Sequence, residues 1–335
     1  MMTGADAKVG TSNLKDILEL IQADLRQVET YMASRVTVTG SEQEPLSREI
    51  IDHVLGGGGK RLRPALILLS GRLCGGPRED LIRLAAAIEL LHTATLLHDD
   101  VVDGAELRRG RATVASKWDP GLAVLGGDLL FSVAFSILAS FGQPRMLELM
   151  SGVIMDLSRG EMSQYEHRED LDVTEAYYLA LIQKKTAALM AASMLLGAMA
   201  AGSGPQVEHY LQRYGLSLGM AFQISDDVLD FDGSQEALGK QVVSDLDNGV
   251  ITLPLIHSLR DSRIGPRLRA LLTEGTSQDR DQVVLLIREA GGLDYARSKA
   301  RNYGEEALEA LSPFEDCEAL SGLKWLARFA VDRKF

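Results

Sequence analysis

The 335-residue chain has only two cysteines, Cys74 and Cys317. Neither stands in a CxxC pair or a Cys/His spacing. This argues against a disulfide framework and a structural zinc site, and it fits a reduced, cytoplasmic setting. Aromatic residues are scarce at 5 %, and β-branched residues occur only in short runs. No stretch alternates apolar and polar residues as a half-buried strand would. Basic charge is also short, with 35 Lys+Arg against 47 Asp+Glu and a net charge of -12. That balance argues against nucleic acid, or an anionic membrane surface, as the main partner. The N-terminal MMTGADAKVGTSNLK has no apolar core of the signal-peptide type. The two most apolar stretches are 122–141 and 187–201. The first carries Asp128 near its centre and the second is too short to cross a bilayer. Both read as buried helices, so no transmembrane segment is expected.

Ala, Leu, Met and Glu are prominent instead, a composition that favours helix. Apolar residues Leu14, Leu18, Ile21, Leu25, Val28 and Met32 recur at steps of four and three. That spacing predicts a helix with one apolar seam, docked on the body or on a second subunit. A loop follows, with Gly40 and Pro45. After Gly56–Gly59 comes Pro64, a residue suited to the first turn of a helix. Long helical patterns cover 79–103, 121–141, 144–166, 174–201 and 205–231. Gly- and Pro-containing breaks separate them. Thr174 followed by Glu175 reads as an N-cap with an acidic first turn. Shorter helices are expected over 250–262, 265–273, 278–290, 294–311 and 316–332. No linker or composition shift marks a boundary. The reading is a single all-α domain over 1–335, with 1–40 as an N-terminal extension and helix.

One short acidic pattern occurs twice. Asp99-Asp100-Val101-Val102-Asp103 returns as Asp226-Asp227-Val228-Leu229-Asp230, each time at the end of an apolar helical stretch. On a helix, residues i and i+4 share a face. Asp99 and Asp103 therefore point one way, and so do Asp226 and Asp230. Three carboxylates on one turn repel each other unless water or a cation compensates them. A single copy reads most simply as a solvated helix end. Two copies at the mouth of apolar helices point to hard-cation sites. Carboxylate oxygens suit Mg²⁺, which is usually shared with substrate phosphates.

Cations stand beside these acids. Gly57-Gly58-Gly59-Lys60-Arg61-Leu62-Arg63-Pro64 puts three on a flexible loop, and Arg108-Arg109-Gly110-Arg111 follows the first triplet. Lys184-Lys185-Thr186 lies inside a helix, and Lys240 follows Gly239 after the second triplet. Such a grouping fits an anion held partly by metal and partly by Arg and Lys. The Gly-rich loop is no Walker A motif, because Val54 and Arg61 occupy the positions that need Gly and Ser/Thr.

With these residues in hand the chain resembles the trans-isoprenyl diphosphate synthases, the polyprenyl synthetase family, of the long-chain type. The matching segments are GGGKRLRP at 57–64, LLHDDVVDGAELRRG at 96–110, GGDLL at 126–130, KTAAL at 185–189, GMAFQISDDVLDF at 219–231, Gly239-Lys240 and TLP at 252–254. The resemblance implies a single large helical bundle around a central cavity, the isoprenoid synthase fold, and a homodimer. It implies Mg²⁺, two to three ions, or Mn²⁺ in its place. It assigns the metal to Asp99, Asp100, Asp103, Asp226, Asp227 and Asp230. Isopentenyl diphosphate would meet Lys60, Arg63, His92 and Arg109. The allylic diphosphate would meet Arg108, Lys185, Thr186, Gln223 and Lys240, with Lys185 and the aspartates as the catalytic set.

Each basic or polar residue also has a plainer reading. His92 could be a satisfied buried histidine, and Lys184 reads as the solvated neighbour of Lys185. Asp128 and Glu161 read as structural hydrogen-bonders, and Phe222, Phe231 and the methionines of 190–199 as core. Two positions depart from the family pattern. Val250 stands where the family often has a lysine, three residues before Leu253-Pro254, and Ala115 stands where it often has Asn. One cation near the allylic diphosphate is therefore absent or comes from elsewhere.

The helix before Asp99 bears on product length. Ala94 and Thr95, small residues, stand where short-chain members of the family put an aromatic floor. Larger side chains come deeper, at Leu91, Ile88 and Leu84. At the helical rise, Ala94 is about 7 Å and Ile88 roughly 16 Å below Asp99. The expectation is a long-chain product of the quinone side-chain type. The alternatives are a short-chain (geranylgeranyl or farnesyl) synthase, a terpene cyclase, and a catalytically silent subunit of a heteromeric synthase. A cyclase has no second diphosphate for Lys60, Arg63 and Arg109. A silent subunit would be expected to lose the aspartates that this chain keeps.

Overall fold

The structure, a computed structural model, describes residues 14–39, 45–232, 244–274 and 279–332. Helices dominate. They are α1 Leu14–Thr39, α2 Pro45–Leu55, α3 Leu62–Leu73, α4 Arg78–Val102, α5 Val114–Lys117, α6 Pro120–Ala139, α7 Pro144–Glu166, α8 Glu175–Ile182, α9 Ala188–Ala200 and α10 Pro205–Asp232. Beyond these come α11 Ser244–Asp247, α12 Leu253–Leu259, α13 Gly265–Glu274, α14 Arg280–Glu289, α15 Gly292–Ala310 and α16 Glu318–Asp332. Among the described residues the strands are β1 Leu107–Arg108 and β2 Arg111–Ala112, an antiparallel pair.

The helix pattern read from the sequence is largely present, with three corrections. The stretch after Pro45, to which the sequence pattern assigned no element, is helix α2. Its proline sits at the helix start, where a missing N–H costs nothing. The hairpin between α4 and α5 escaped the pattern because two-residue strands are too short to alternate. The 174–201 stretch is interrupted at Gln183–Ala187 by a single π-helical turn, which separates α8 from α9. No Gly or Pro announces it. Thr174 does cap α8, its side chain accepting from the Tyr177 N–H at 3.1 Å.

Two apolar clusters hold the bundle. The larger joins α1, α3, α4, α6, α7, α9, α10 and α16, with Leu84, Ile88, Leu91 and Ala94 of α4 fully enclosed. The smaller lies under α10, α12, α14 and α15 and includes Phe231 and Tyr178. Met190, Met194 and Met199 are core residues, as expected. α10 crosses α9 closely because Gly215 and Gly219 face it. A Cβ on Gly215 would stand 2.7 Å from the Ala191 Cα, and one on Gly219 would run into the Ala187 backbone. That crossing brings the π turn onto the second acid triplet. Three helical stretches, Arg78–Val102, Pro120–Ala139 and Glu175–Ala200, are long and apolar enough to cross a membrane by length and composition. α4 and α8–α9 are largely packed against neighbouring helices, whereas less than half of the Pro120–Ala139 window is covered.

Candidate active site

The first triplet closes α4. Asp103 is its C-cap, and the Asp103 N–H donates to the Asp99 carbonyl at 2.8 Å. Burial and then the nearby Glu161 carboxylate push Asp99 up to about 7, although Lys185 and Arg108 oppose them. Asp100 is buried and accepts from Arg108 Nε at 2.6 Å. Asp103 accepts from Arg168 Nη2 at 2.8 Å. Each carboxylate of this triplet thus has a cation in contact or close by.

The second triplet lies in the last turns of α10. Asp227 is 3 % exposed. Gln223 Nε2 donates to its Oδ1 at 2.8 Å, and the Tyr178 hydroxyl donates to its Oδ2 at 2.6 Å. Burial, followed by Asp245, holds the Asp227 carboxyl well above its usual range. Burial and the Asp227 charge likewise raise the Tyr178 phenol, so it stays a donor. Asp226 and Asp230 are half-buried, and Asp230 accepts from the Asp245 N–H at 3.1 Å.

The π turn joins the two triplets. Lys185 Nζ pairs with Glu161 at 2.7 Å and donates to Gln164 at 2.8 Å, on the Asp99 side. Thr186, the next residue, donates to Gln223 Oε1 at 2.7 Å, which leads to Asp227. A π turn adds one residue to a helical turn and is found frequently at functional sites. Here it lets adjacent residues serve two different acid clusters. Lys184 is exposed, as its sequence reading held.

A cleft of about 620 Å³ opens beside the first triplet, lined by Gly57, Gly58, Arg61, His92, Arg108 and Arg109 among others. Burial, and then the surrounding arginines, lower His92 well below its ordinary value, so it is neutral. Its Nε2 accepts from Arg63 Nη1 at 2.9 Å. Burial also lowers Arg63 to about 10, with Arg109 adding to the fall and Glu89 opposing it. Arg61 has left-handed φ (47°) and is clamped between Glu89 at 2.6 Å and Glu29 at 3.1 Å. The hairpin tip has positive φ at both Arg109 (54°) and Gly110 (74°), which suits a two-residue hairpin loop. Arg109 donates to the Gly58 carbonyl, and a Cβ on Gly59 would stand 2.7 Å from its Nη1. A side chain at 59 would push the Arg109 guanidinium aside, and the Gly59 φ of 158° is one that other residues rarely adopt.

The sequence reading thus meets a site in which His92, Arg108 and Arg109 line one cleft, with Arg63 bonded to His92 behind it. Asp99 and Lys185 stand beside it, and Thr186, Gln223 and Asp227 form one hydrogen-bonded line. Lys60 is exposed on the loop. Lys240 lies outside the described residues. Asp128 is exposed, with His98 Nε2 3.6 Å from its carboxylate. Ala94, Leu91 and Ile88 are fully enclosed and Thr95 nearly so. Leu96, Thr93 and Leu97, not these four, line the described cleft. Reading by motif passed over Gln164, Arg168, Tyr178 and Asp245. Tyr178 alone left a signal, a polar residue on an apolar helical stretch seven before Lys185.

An all-α bundle with paired acid triplets, and cations gathered beside them, defines the class of helical enzymes that handle diphosphate groups. The comparisons make this specific. The polyprenyl synthetase family model matches residues 44–288. The chain is 36 % identical over 322 residues to the heptaprenyl diphosphate synthase component 2 of Geobacillus stearothermophilus, covering 96 % of this chain and 99 % of that one. It is 35 % identical over 324 residues to the octaprenyl diphosphate synthase of Escherichia coli, with coverage of 96 % and 99 %. A crystal structure of a Caulobacter crescentus polyprenyl synthase, complexed with calcium and isoprenyl diphosphate, superposes with a TM-score of 0.89 at 35 % identity, covering 97 % and 99 %. Short-chain and geranylgeranyl synthases also match. The chain belongs to the polyprenyl synthetase family and is a prenyltransferase with the all-α isoprenoid synthase fold.

Proposed function

We propose that this chain condenses isopentenyl diphosphate with an allylic diphosphate, head to tail and all-trans, to a long-chain polyprenyl diphosphate. The observation that carries the reading is the π turn at Gln183–Ala187, which ties Lys185 to the first acid triplet and Thr186 to the second. The π turn thus sets Lys185 beside Asp99 and Thr186 on the hydrogen-bonded line that leads to Asp227.

The donor set fits Mg²⁺. Among the described residues no three acidic or histidine side chains already form a metal cage. The carboxylates are hard oxygen donors, however, and burial beside like charges raises Asp99 and Asp227. A divalent cation relieves that cost. Asp99, Asp103, Asp226 and Asp230 would hold it. Asp100 and Asp227 anchor their triplets through Arg108, Tyr178 and Gln223. When bound, the metal neutralises the charge that grows on a departing diphosphate. Lys185 and Arg108 add fixed positive charge at the same place, already oriented by Glu161, Gln164 and Asp100. Neutral His92 and Arg63 with Lys60 and Arg109 hold the isopentenyl diphosphate. The π bond of that substrate attacks the allylic carbon, and the proton then lost passes to the departing diphosphate. No protein nucleophile is required.

Product length follows from α4. Ala94 and Thr95 leave no aromatic floor in the first turn and a half below Asp99, which supports a long chain. Relatives named for heptaprenyl and octaprenyl products support it too. A homodimer is the expected assembly. Val124 and Leu125 of α6, and Met155, Met162 and Tyr165 of α7, are exposed apolar side chains that a second copy would cover. The relative named as component 2 makes a heteromeric assembly the competing outcome. The test is incubation of purified protein with Mg²⁺, labelled isopentenyl diphosphate and allylic primers of several lengths, with products separated by chain length. Long products are expected. Geranylgeranyl or shorter products establish the short-chain reading, and no product from the chain alone favours a subunit. Ala94→Phe shortens the product; an unchanged length removes the α4 argument.

A further inference from the structure

Arg168 sits in the turn after α7. The neighbouring Glu169 has φ of 63°, and its N–H donates to the Gly249 carbonyl at 2.8 Å. This bond staples the 168–169 backbone to the segment carrying Val250. The two are in close packing: a Cβ on Gly249 would stand 3.0 Å from Glu169 Cγ and 3.6 Å from Arg168 Cβ. From that staple the Arg168 side chain runs to the first triplet, where Nη2 donates to Asp103 Oδ1 at 2.8 Å. The Tyr165 ring lies 4.9 Å from the guanidinium carbon. Nε is enclosed and has no hydrogen-bond partner among the described residues.

A buried donor without a partner calls for an explanation. Guanidinium offers five donors in a planar fork that matches phosphate oxygens. Among the described residues, Lys185 is engaged by Glu161 and Gln164, and Arg108 by Asp100. Arg168 arrives from the segment packed against Gly249, next to Val250, an apolar residue where the family resemblance implies a lysine.

We propose that Arg168 supplies to the allylic diphosphate the positive charge that this chain lacks at position 250. The inference rests on the condensing activity proposed above. Its guanidinium holds Asp103 until the diphosphate arrives, and then turns its fork to the phosphate oxygens.

The experiment measures binding without turnover. Full-length wild type, Arg168→Gln, Arg168→Lys and the double variant Arg168→Gln/Val250→Lys are titrated calorimetrically, with Mg²⁺ present. The two probes are farnesyl thiodiphosphate, an allylic analogue that does not ionise readily, and isopentenyl diphosphate. Arg168→Gln is expected to weaken the allylic analogue about 10- to 100-fold, the worth of a charge-assisted hydrogen bond, with isopentenyl diphosphate unchanged. Arg168→Lys, the milder change, loses about tenfold or less, again for the allylic analogue alone. Val250→Lys in the Gln background restores most of the loss. An allylic affinity within about twofold of wild type overturns the proposal. So does an equal loss for both ligands, which would make Arg168 a support of Asp103 and the fold, or a double variant no better than Arg168→Gln. If Arg168→Gln does not fold, Arg168→Lys decides by the same selectivity between the two ligands. Wild type that binds neither ligand and condenses nothing would instead defeat the underlying reading.

Discussion

The two acid triplets share a sequence pattern and differ in nearly everything around it. The first ends a helix, with Asp103 40 % exposed, and guanidinium groups contact two of its three members. The second lies within α10 before it ends at Asp232, with Asp227 buried and held by a phenol and an amide. The first is compensated by charge. The middle acid of the second, Asp227, is held by neutral hydrogen bonds, and Asp245 and Asp226 beside it add negative charge. A motif thus fixes which atoms are present but not how their charge is balanced. At Asp227 a divalent cation has more to offset, because the groups shown to contact that carboxylate, a phenol and an amide, are neutral.

The largest expected effects test the metal-facing acids. Asp99→Ala and Asp226→Ala should each lower turnover by on the order of 10²- to 10³-fold or more, the scale of lost transition-state charge stabilisation. Thermal unfolding should barely change, since both side chains are half-buried beside like charges. Near-normal condensation by either variant would break the assignment. Asp227→Ala should differ in kind. It strands the Tyr178 hydroxyl and the Gln223 amide, so the fold should lose about 1–3 kcal/mol for each group left unsatisfied. Denaturant unfolding beside steady-state kinetics separates the two behaviours.

Tyr178→Phe is the next step down. It removes one donor from a buried carboxylate and leaves the shape intact. Activity or metal affinity should fall about 10- to 100-fold, as for other groups that orient a ligand from behind. Titration of Mn²⁺ by electron paramagnetic resonance reads this without turnover. An unchanged Mn²⁺ affinity would mean that Asp227 is held well enough by Gln223 alone.

Helices and acid motifs were legible because both rest on local rules, the apolar period and the i, i+4 geometry. What was not legible depends on tertiary partners. The π turn has no breaker in Gln183–Ala187; it is imposed where Gly219 lets α10 press on Ala187. Helix α2 carries the same apolar period at Leu46, Ile50, Ile51, Val54 and Leu55, and was passed over because it is short and lies between the Gly40–Pro45 and Gly56–Gly59 breaks. Asp99 and Asp100 are adjacent and chemically identical in sequence. Only the packing of the hairpin against α4 gives Arg108 to one and leaves Glu161 to the other. Arg168 and Tyr178 belong to no acid cluster in sequence and join one only through the fold.

The smallest expected effect is at Asp100, and it sharpens the comparison most directly. Burial raises the Asp100 carboxyl more than Arg108 lowers it. A raised acid binds its proton more tightly in the folded state. Ionisation of Asp100 therefore subtracts stability as pH climbs from the unfolded value through the folded one. Asp100→Asn removes the ionised group and keeps an oxygen for Arg108 Nε. Lost attraction and relieved desolvation nearly offset, so stability at pH 7 should shift by less than about 1 kcal/mol. Asp227→Asn cannot do the same. Its two oxygens accept from two donors, and an amide can accept from only one while presenting N–H to the other, so about 1–3 kcal/mol should be lost. Urea unfolding of the two asparagine variants decides the matter. Equal losses would mean that both middle acids are held alike, and the contrast between a charge-balanced triplet and a hydrogen-bonded one would not stand.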